Sequence, residues 1–118
     1  MMLQSIVPML TVTDISATVQ FYREVLDFAC VSQAQGWACL SRDGVELMLA
    51  LPNAHVPFER PQFTGSLYLR CDDVDEVWRS VKDKAKVVYP IENFDYGMRE
   101  FAIRDNNGYM LQFGQEIG

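Results

Sequence analysis

The sequence is poor in the residues that build metal sites and disulfide frameworks. It contains one histidine, His55, and three cysteines, Cys30, Cys39 and Cys71, with no C-x-x-C spacing among them. An odd number of cysteines without that spacing argues against both a disulfide framework and a zinc knuckle. The sequence therefore predicts neither, and a lone histidine in a proline-rich stretch is interpreted as a solvated surface residue.

Basic residues and long apolar runs are also scarce. Ten Lys and Arg against sixteen Asp and Glu give a net charge of −6, which disfavours binding to nucleic acid or to an anionic membrane surface. No basic residue precedes Arg23, as a signal peptide would require, and no apolar run approaches the ~20 residues of a membrane span. We therefore expect a cytoplasmic protein, and the acidic charge suits a cationic ligand better than an anionic one.

The composition is that of a folded globular domain. The chain has 118 residues, of which 49% are hydrophobic and 22% charged, values typical of one ordinary domain. Period-two and turn patterns predict eight strands. These strands are expected over residues 6–12, 28–33, 37–42, 45–51, 66–71, 86–90, 99–104 and 109–113, with a loop over 91–97.

Two helices are expected, each opened by an aspartate. Asp14 offers an N-cap, and Asp73 offers another with Glu76 three residues later, close to a capping box. We attribute the acidic run over 72–76 to capping and to the helix dipole, and not to catalysis. The apolar stripes that follow helical spacing are Ile15, Val19, Tyr22 and Leu26 in the first helix, and Val74, Val77, Trp78 and Val81 in the second.

Both halves of the chain read strand, helix, strand and hairpin, which indicates an internal duplication. We predict a single α+β domain over residues 1–118 made of two βαβββ modules. The first module covers about 1–52, a proline-rich connector covers 53–65, and the second module covers about 66–118. The hairpin turns are Asp43-Gly44 and the stretch 105–108.

Side-chain alternation sorts each hairpin into two faces. In the first hairpin, Ala38, Leu40, Leu47 and Leu49 form a small aliphatic face that we expect beneath a helix. The opposite faces of the strands are mixed, and aromatic, Met and polar side chains of this kind line ligand pockets and also subunit interfaces. Both interpretations stay open, and both hold if a pocket lies between subunits. The predicted mixed set is Val7, Met9, Trp37, Cys39, Glu46, Met48, Ser66, Tyr68, Arg70, Arg99, Phe101, Met110 and Gln112.

The stretches VPMLTVTDISATVQFYREVLDF and DYGMREFAIRDNNGYMLQFGQ resemble the vicinal-oxygen-chelate superfamily of glyoxalases, dioxygenases and bleomycin-resistance proteins. SLYLRCDDVDEVW and WACLSRDGVEL extend the resemblance over nearly the whole chain, closest to the bleomycin-resistance branch. The resemblance implies a curved mixed sheet with the helices on its outer face. Two positions depart from the family pattern, since Asp27 replaces a common glycine and Asn106 replaces a common proline.

Metal-dependent members of this superfamily hold a divalent cation with His, Glu or Gln from both modules. The matching positions here are Val7, Met48, Ser66 and Gln112, and only Gln112 is a plausible ligand. A shift of two residues would bring in Glu46 and still leave a poor set. The resemblance therefore predicts no metal site and no cofactor. Cys39, without a histidine nearby in the sequence, is not expected to act as a nucleophile.

In the bleomycin-resistance branch, aromatic rings sandwich the flat part of a drug in clefts at a homodimer interface. The resemblance transfers these roles to Trp37 and Tyr96, although Trp37 could instead pack in an interface and Tyr96 could be a hydrogen-bonded loop tyrosine. Arg99 could meet an anionic ligand group or a partner chain. The predicted ligand-binding set is Trp37, Met48, Ser66, Tyr68, Tyr96, Arg99, Phe101 and Gln112, with no catalytic residue.

The sequence and the resemblance thus predict metal-independent binding and sequestration of a small, planar, cationic molecule by a homodimer. A bleomycin-type glycopeptide is one such ligand, and antibiotic resistance is the corresponding biological role. The alternative is a glyoxalase-like metal-dependent lyase or dioxygenase with an atypical ligand set. A third possibility is a module that senses a metabolite for another protein.

Overall fold

The computed structural model describes residues 2, 4–53 and 58–118. His55 lies outside the described residues. The chain divides into two compact units, Met1–Glu59 and Arg60–Gly118, and each has one helix and a four-stranded mixed sheet. The predicted α+β fold of two βαβββ modules is confirmed. No helix in the described part of the chain is long and apolar enough to cross a membrane.

The first unit has the sheet order β1-β4-β3-β2, in which β1 and β4 are parallel and the other neighbours are antiparallel. The first strand is shorter than the predicted 6–12, although the carbonyl of Pro8 still accepts a hydrogen bond from the amide of Met48 at 2.8 Å. The elements are β1 (Met9–Thr11), α1 (Ile15–Leu26), β2 (Ala29–Ala34), β3 (Trp37–Arg42) and β4 (Val45–Ala50).

Helix α1 begins and ends at aspartates. The amide of Ala17 donates to Asp14 Oδ1 at 2.9 Å, which satisfies one of the free amides of the first turn. Asp27 ends the helix in the left-handed conformation, with φ of 58°, a role that aspartate accepts more readily than most residues. The predicted stripe buries Val19, Tyr22 and Leu26.

The first hairpin has the predicted two-residue turn. Asp43 and Gly44 both have positive φ, 53° and 81°, as a type I′ turn requires. Arg42 consequently pairs with Val45, and the predicted division into faces is confirmed. The aliphatic face, formed by Ala38, Leu40, Leu47 and Leu49, is buried.

The second unit repeats the topology, with sheet order β5-β8-β7-β6 and β5 parallel to β8. Asp73 caps its helix by accepting a hydrogen bond from the amide of Glu76 at 3.2 Å, so the structural interpretation of the acidic run is confirmed at this residue. The elements are β5 (Leu67–Arg70), α2 (Val74–Val81), β6 (Lys86–Phe94), β7 (Met98–Arg104) and β8 (Met110–Glu116).

Strand β6 runs further than the sequence pattern indicated. The predicted loop over 91–97 is wrong for 91–94, which belong to β6, and residues 92–94 are paired with β7. The register shifts between Val87 and Tyr89 and again between Tyr89 and Glu92. Pro90 lies within the second shift, where an edge strand tolerates a residue without an amide proton. These shifts interrupt the alternation of inward and outward side chains, so the sequence pattern does not reveal that the strand continues beyond residue 90.

The second hairpin differs from its predicted register by one residue. Asp105 Oδ1 accepts hydrogen bonds from the amides of Asn107 and Tyr109, both at 2.9 Å. The turn therefore includes Tyr109, and Arg104 pairs with Met110. A shift of one residue moves every side chain of one strand to the other face relative to its partner.

The observed register places Phe101 against the helix, and not on the mixed face. Its side chain is 0% exposed, and its ring centroid lies 5.1 Å from that of Trp78 in α2 and 5.2 Å from that of Phe113. Phe101 is thus a core residue of the second unit. The predicted grouping of Phe101 with Gln112 is wrong, since Gln112 pairs with Ala102.

Phe101→Ala should therefore act on stability. We expect a loss of about 3–5 kcal/mol in the free energy of unfolding, because the truncation leaves a cavity beneath α2. Denaturant unfolding followed by circular dichroism measures it. The matched control is Val88→Ala, at a residue of the same unit that is 40% exposed, with an expected loss below ~1 kcal/mol. Similar losses in the two variants would contradict the core assignment.

Candidate functional site

The sheet face of the second unit that is turned away from α2 carries a buried carboxylate. Glu100, in β7, is 1% exposed. The hydroxyl of Tyr68 donates to its Oε1 at 2.9 Å, the hydroxyl of Tyr89 donates to its Oε2, and Gln112 Nε2 lies 3.4 Å from Oε2. The hydroxyl of Tyr96 also interacts with this carboxylate and helps to lower the pKa of Glu100. We call these five residues the Glu100 cluster.

The hydrogen bonds of the cluster form a directed chain. The hydroxyl of Ser66 donates to the side-chain carbonyl of Gln112, whose amide donates to the Tyr89 oxygen at 2.8 Å. Tyr89 in turn donates to Glu100. Because a carboxylate can only accept, it orients each neighbouring hydroxyl proton toward itself. Hydrogen bonds that are linked in this way strengthen one another.

Tyr68 reaches Glu100 by crossing a strand at a glycine. Strand β8 lies between β5, which carries Tyr68, and β7, which carries Glu100. A Cβ atom at Gly114 would lie 2.0 Å from the Tyr68 hydroxyl oxygen and 2.7 Å from its Cζ. No side chain other than hydrogen fits there. The glycine is therefore required by the passage of the tyrosine ring.

The carboxylate and the phenols of the cluster shift each other's pKa in opposite directions. Burial alone raises the pKa of Glu100, but the hydrogen bonds from Tyr89, Tyr96, Tyr68 and Gln112 outweigh burial and lower it below its usual range. Burial, followed by the hydrogen bond to Glu100, raises the pKa of Tyr89 to about 12 and also raises that of Tyr68. At neutral pH the site holds one carboxylate and neutral phenols.

An aromatic row borders the carboxylate. The rings of Phe94 and Tyr96 are stacked, with centroids 5.5 Å apart and an interplanar angle of 16°. Tyr89 meets Phe94 edge-on at 5.6 Å. Tyr96 is 64% exposed and Tyr68 is 40% exposed. Both rings therefore offer surface to a bound molecule as well as a hydroxyl oxygen.

Four of the predicted site residues are brought together in this unit. Ser66, Tyr68, Tyr96 and Gln112 lie in or beside the Glu100 cluster. The alternative interpretation of Tyr96 as a hydrogen-bonded turn tyrosine also describes it. Their role in binding a ligand stays a prediction.

Arg99 and Phe101 do not join this group. Arg99 Nε lies 3.1 Å from both carboxylate oxygens of Asp75 in α2, its Nη2 lies 2.9 Å from Oδ1, and its Nη1 donates to Asn93 at 3.0 Å. The Arg99 hydrogen bond lowers the pKa of Asp75. The guanidinium thus links strand β7 to helix α2 of the same unit. The prediction that Arg99 and Gln112 share a face is wrong, because Gln112 pairs with Ala102 and Arg99 pairs with Gln115.

The first unit presents a different chemistry on the corresponding face. Trp37 and Met48 share that face with Cys39 and Glu46, as predicted. Cys39 Sγ lies 3.6 Å from Glu46 Oε2, and burial followed by the Glu46 hydrogen bond raises the pKa of the Cys39 thiol. A thiol with a raised pKa is a poor nucleophile. This face offers apolar and aromatic surface, and its role in binding stays a prediction.

Sequence reasoning missed Glu100, Tyr89 and Phe94. Glu100 and Tyr89 lie in predicted strands and Phe94 lies in a predicted loop, and none of the three has a predicted function. The register of the second hairpin would have revealed the carboxylate, because it places Glu100 opposite Gly114. With that register, the glycine opposite Glu100 on the face that carries Tyr68 is the signal for the site.

Comparison with known proteins agrees with this fold. Residues 4–113 match the model of the Glyoxalase/Bleomycin resistance protein/Dioxygenase superfamily. The chain belongs to this superfamily. A search of curated protein sequences gives no match.

Several solved structures share the superfamily fold. TioX from Micromonospora sp. ML1 is 23% identical, with a TM-score of 0.80 over 97% of this chain and 99% of its own. A glyoxalase/bleomycin resistance protein/dioxygenase from Nocardioides is 17% identical, with a TM-score of 0.76 over 99% and 87%. A glyoxalase-related enzyme from Fulvimarina pelagi is 17% identical, with a TM-score of 0.80 over 98% and 89%.

The four positions that the resemblance assigns to a metal offer few nitrogen or oxygen donors in this chain. Val7 supplies no donor, and Met48 supplies only a thioether, a ligand for soft ions. Ser66 and Gln112 are hydrogen-bonded to each other, so the amide oxygen is already engaged. Among the described residues, no three His, Cys, Asp or Glu side chains are grouped as a metal site would need.

Gly114→Ala tests the crossing of Tyr68 over β8. The added methyl group should expel the ring and break its hydrogen bond to Glu100, at a cost of about 1–3 kcal/mol in the free energy of unfolding. Thermal and denaturant unfolding measure the loss. In the background of Tyr68→Ala the same methyl group meets no ring, so the loss should shrink. An equal loss in both backgrounds would rule out this reason for the glycine.

The lowered pKa of Glu100 predicts how its contribution to stability depends on pH. Because the folded state favours the ionised form, the contribution is present above the ordinary glutamate pKa of about 4.3 and is lost as the pH falls through the lowered value. Glu100→Gln should lose about 2–3 kcal/mol at pH 7. The difference in Tm from wild type should narrow between about pH 5 and pH 2.

Glu76→Gln is the matched control for that experiment. Glu76 is an exposed residue in the first turn of α2, and its loss removes the same charge from the same unit. The difference in Tm between Glu76→Gln and the wild type should stay small from pH 7 down to about pH 2. If the Glu100→Gln difference were equally flat, the carboxylate would not be ionised in the folded protein.

Proposed function

We propose that the chain binds and sequesters a small organic molecule, without a metal and without converting it. The Glu100 cluster carries this proposal. Together with Phe94, it joins a buried carboxylate, exposed tyrosine side chains and a stacked aromatic pair on one sheet face. Ligand pockets combine apolar and aromatic surface with a few oriented polar groups in this way.

The direction of the pKa shifts supports binding over catalysis. A general base is most effective when its pKa lies near the working pH, and the pKa of Glu100 moves away from that range. The phenols of Tyr68 and Tyr89 become weaker acids than free tyrosine. The cluster therefore holds its protons firmly, which suits a fixed recognition surface.

The resemblance to the bleomycin-resistance branch supplies the first candidate ligand and the assembly. A bleomycin-type glycopeptide has a flat heteroaromatic part, and Tyr96 offers an exposed ring for stacking. Trp37, on the mixed face of the first unit, is the second proposed stacking residue. In this proposal two copies of the chain form the clefts, and sequestration in the cytoplasm lowers the concentration of free drug.

Calorimetric titration into metal-stripped protein tests the proposal. We expect a bleomycin-type compound or another planar cationic compound to bind at about one ligand per chain with micromolar or tighter affinity, roughly −8 kcal/mol. Trp37→Ala and Tyr96→Ala should each weaken binding by about 2–10-fold, because a stacked ring is worth about 0.5–1.5 kcal/mol. Folding should be preserved in both variants.

Val45→Ala is the control, since Val45 is exposed and lies on the opposite face from Trp37 by strand register. It should leave affinity unchanged. Recovery of the compound intact after prolonged incubation is also expected. Binding that appears only after a divalent metal is added, or consumption of the compound with that metal, would contradict the proposal and support the lyase or dioxygenase alternative.

A further inference from the structure

The hydrogen-bond network of the second unit presents acceptors, and not donors, at its surface. The O–H groups of Tyr68 and Tyr89 donate to Glu100, Ser66 donates to Gln112, and the Tyr96 hydroxyl interacts with the same carboxylate. Each proton is committed to the interior of the network. The hydroxyl oxygens retain lone pairs, which can only accept. A molecule lying on Tyr68 and Tyr96 therefore meets acceptors and must supply the donors.

The charged residues around this surface are mainly acidic. Strand register places Glu92 opposite Glu100 and Glu116 opposite Met98, so three carboxylates lie at this end of the face. Arg70, opposite Gly114, is the basic residue that the register places among them, while Arg104 and its partner Lys86 lie at the other end of the same face. A bound cation is thus attracted by more charges than repel it, and the buried carboxylate is screened less by salt than the exposed ones.

The aromatic row limits the shape of the molecule. The exposed ring of Tyr96, backed by Phe94 at 5.5 Å, accepts a flat partner by stacking, and the face of an electron-rich ring attracts positive charge. A flat cation thus gains from the ring and from the carboxylate together. A bulky ammonium ion would be attracted by the carboxylate but would not stack on the ring.

We propose that the Glu100 cluster selects planar cations that carry N–H donors, of the amidinium or aminopyridinium class, and discriminates against neutral and anionic analogues of the same shape. Glu100 acts as a positioning residue, because it orients the tyrosine hydroxyls and supplies charge without touching the ligand. This inference rests on the proposed function and names the ligand class for that site.

Three probes of matched shape test the inference: benzamidine, benzamide and benzoate. They differ in charge and in hydrogen-bond donors. Titrations of isotope-labelled protein, followed by amide chemical shifts, locate and quantify weak binding. We expect benzamidine to bind at least 10-fold tighter than benzamide, with shifts near Gly114 and Tyr96, and benzoate to bind weaker still.

Four variants separate the contributions of the buried carboxylate, the Tyr68 hydroxyl and the Arg70 charge to binding. Glu100→Gln should reduce the preference for benzamidine over benzamide by at least 10-fold, whereas Glu76→Gln, on α2, should keep it. Tyr68→Phe keeps the carboxylate and removes one acceptor, so binding of benzamidine should weaken by about 3–10-fold, as one hydrogen bond requires. Arg70→Gln removes the opposing cation and should strengthen binding. Tm measurements confirm that each variant is folded.

The outcomes distinguish this inference from the proposed function. Equal binding of benzamide and benzamidine, or an unchanged preference in Glu100→Gln, overturns the selection for cations. If none of the three probes binds but a glycopeptide does in the calorimetric titration, the inference fails and the proposed function stands. If neither experiment detects binding, both fail. The expected order of probes, abolished by Glu100→Gln and retained by Glu76→Gln, supports the inference.

Discussion

One buried negative charge organises the candidate site. A carboxylate taken out of water needs several donors around it, and an unpaired one would cost several kcal/mol. Tyrosines from β5, β6 and the turn before β7, together with a glutamine from β8, supply those donors to Glu100. Every strand of the second sheet thus contributes directly or through its adjoining turn. The requirement of a single anion fixes the side-chain conformations across the whole face.

The two units show how one topology supports different chemistry. Both have the strand order in which the first strand lies parallel to the last and the hairpin completes the sheet. On the mixed face of the first unit, Trp37 and Met48 provide apolar surface. The second unit places Glu100 and its phenols on its own sheet. Membership of the superfamily therefore specifies the framework, while the side chains of each sheet face specify the chemistry.

The helices and most of the strands could be predicted from the sequence because their signals are local. Capping aspartates and the Asp43-Gly44 turn act through the residues next to them, and the face assignment of the first hairpin followed correctly. The second hairpin depends on where the Asp105 side chain finds its donors. No local pattern distinguishes a turn that ends before Tyr109 from one that includes it. Because Tyr109 belongs to the turn, the register shifts by one residue, and Arg99 and Phe101 lie on the face opposite to the predicted one.

The candidate site could be predicted only in part for the same reason. Tyr68 and Gln112 lie on the parallel strands β5 and β8, and Ser66 directly precedes β5, so their shared face follows from alternation alone. Glu100 required the correct register, and Tyr89 required knowledge of the shifts in β6. The buried network is a property of contacts between strands that are distant in sequence. Periodicity within one strand carries no information about such contacts.

The passage of Tyr68 over Gly114 makes three positions of the second unit depend on one another, because Tyr68 contacts both Gly114 and Glu100. A larger residue at 114 must displace the tyrosine ring, since the methyl of even an alanine would overlap it. Loss of the tyrosine removes a donor from Glu100 and weakens the case for retaining an anion there. The glycine, the tyrosine and the glutamate are therefore coupled energetically, so the effects of substitutions at these three positions should not be additive.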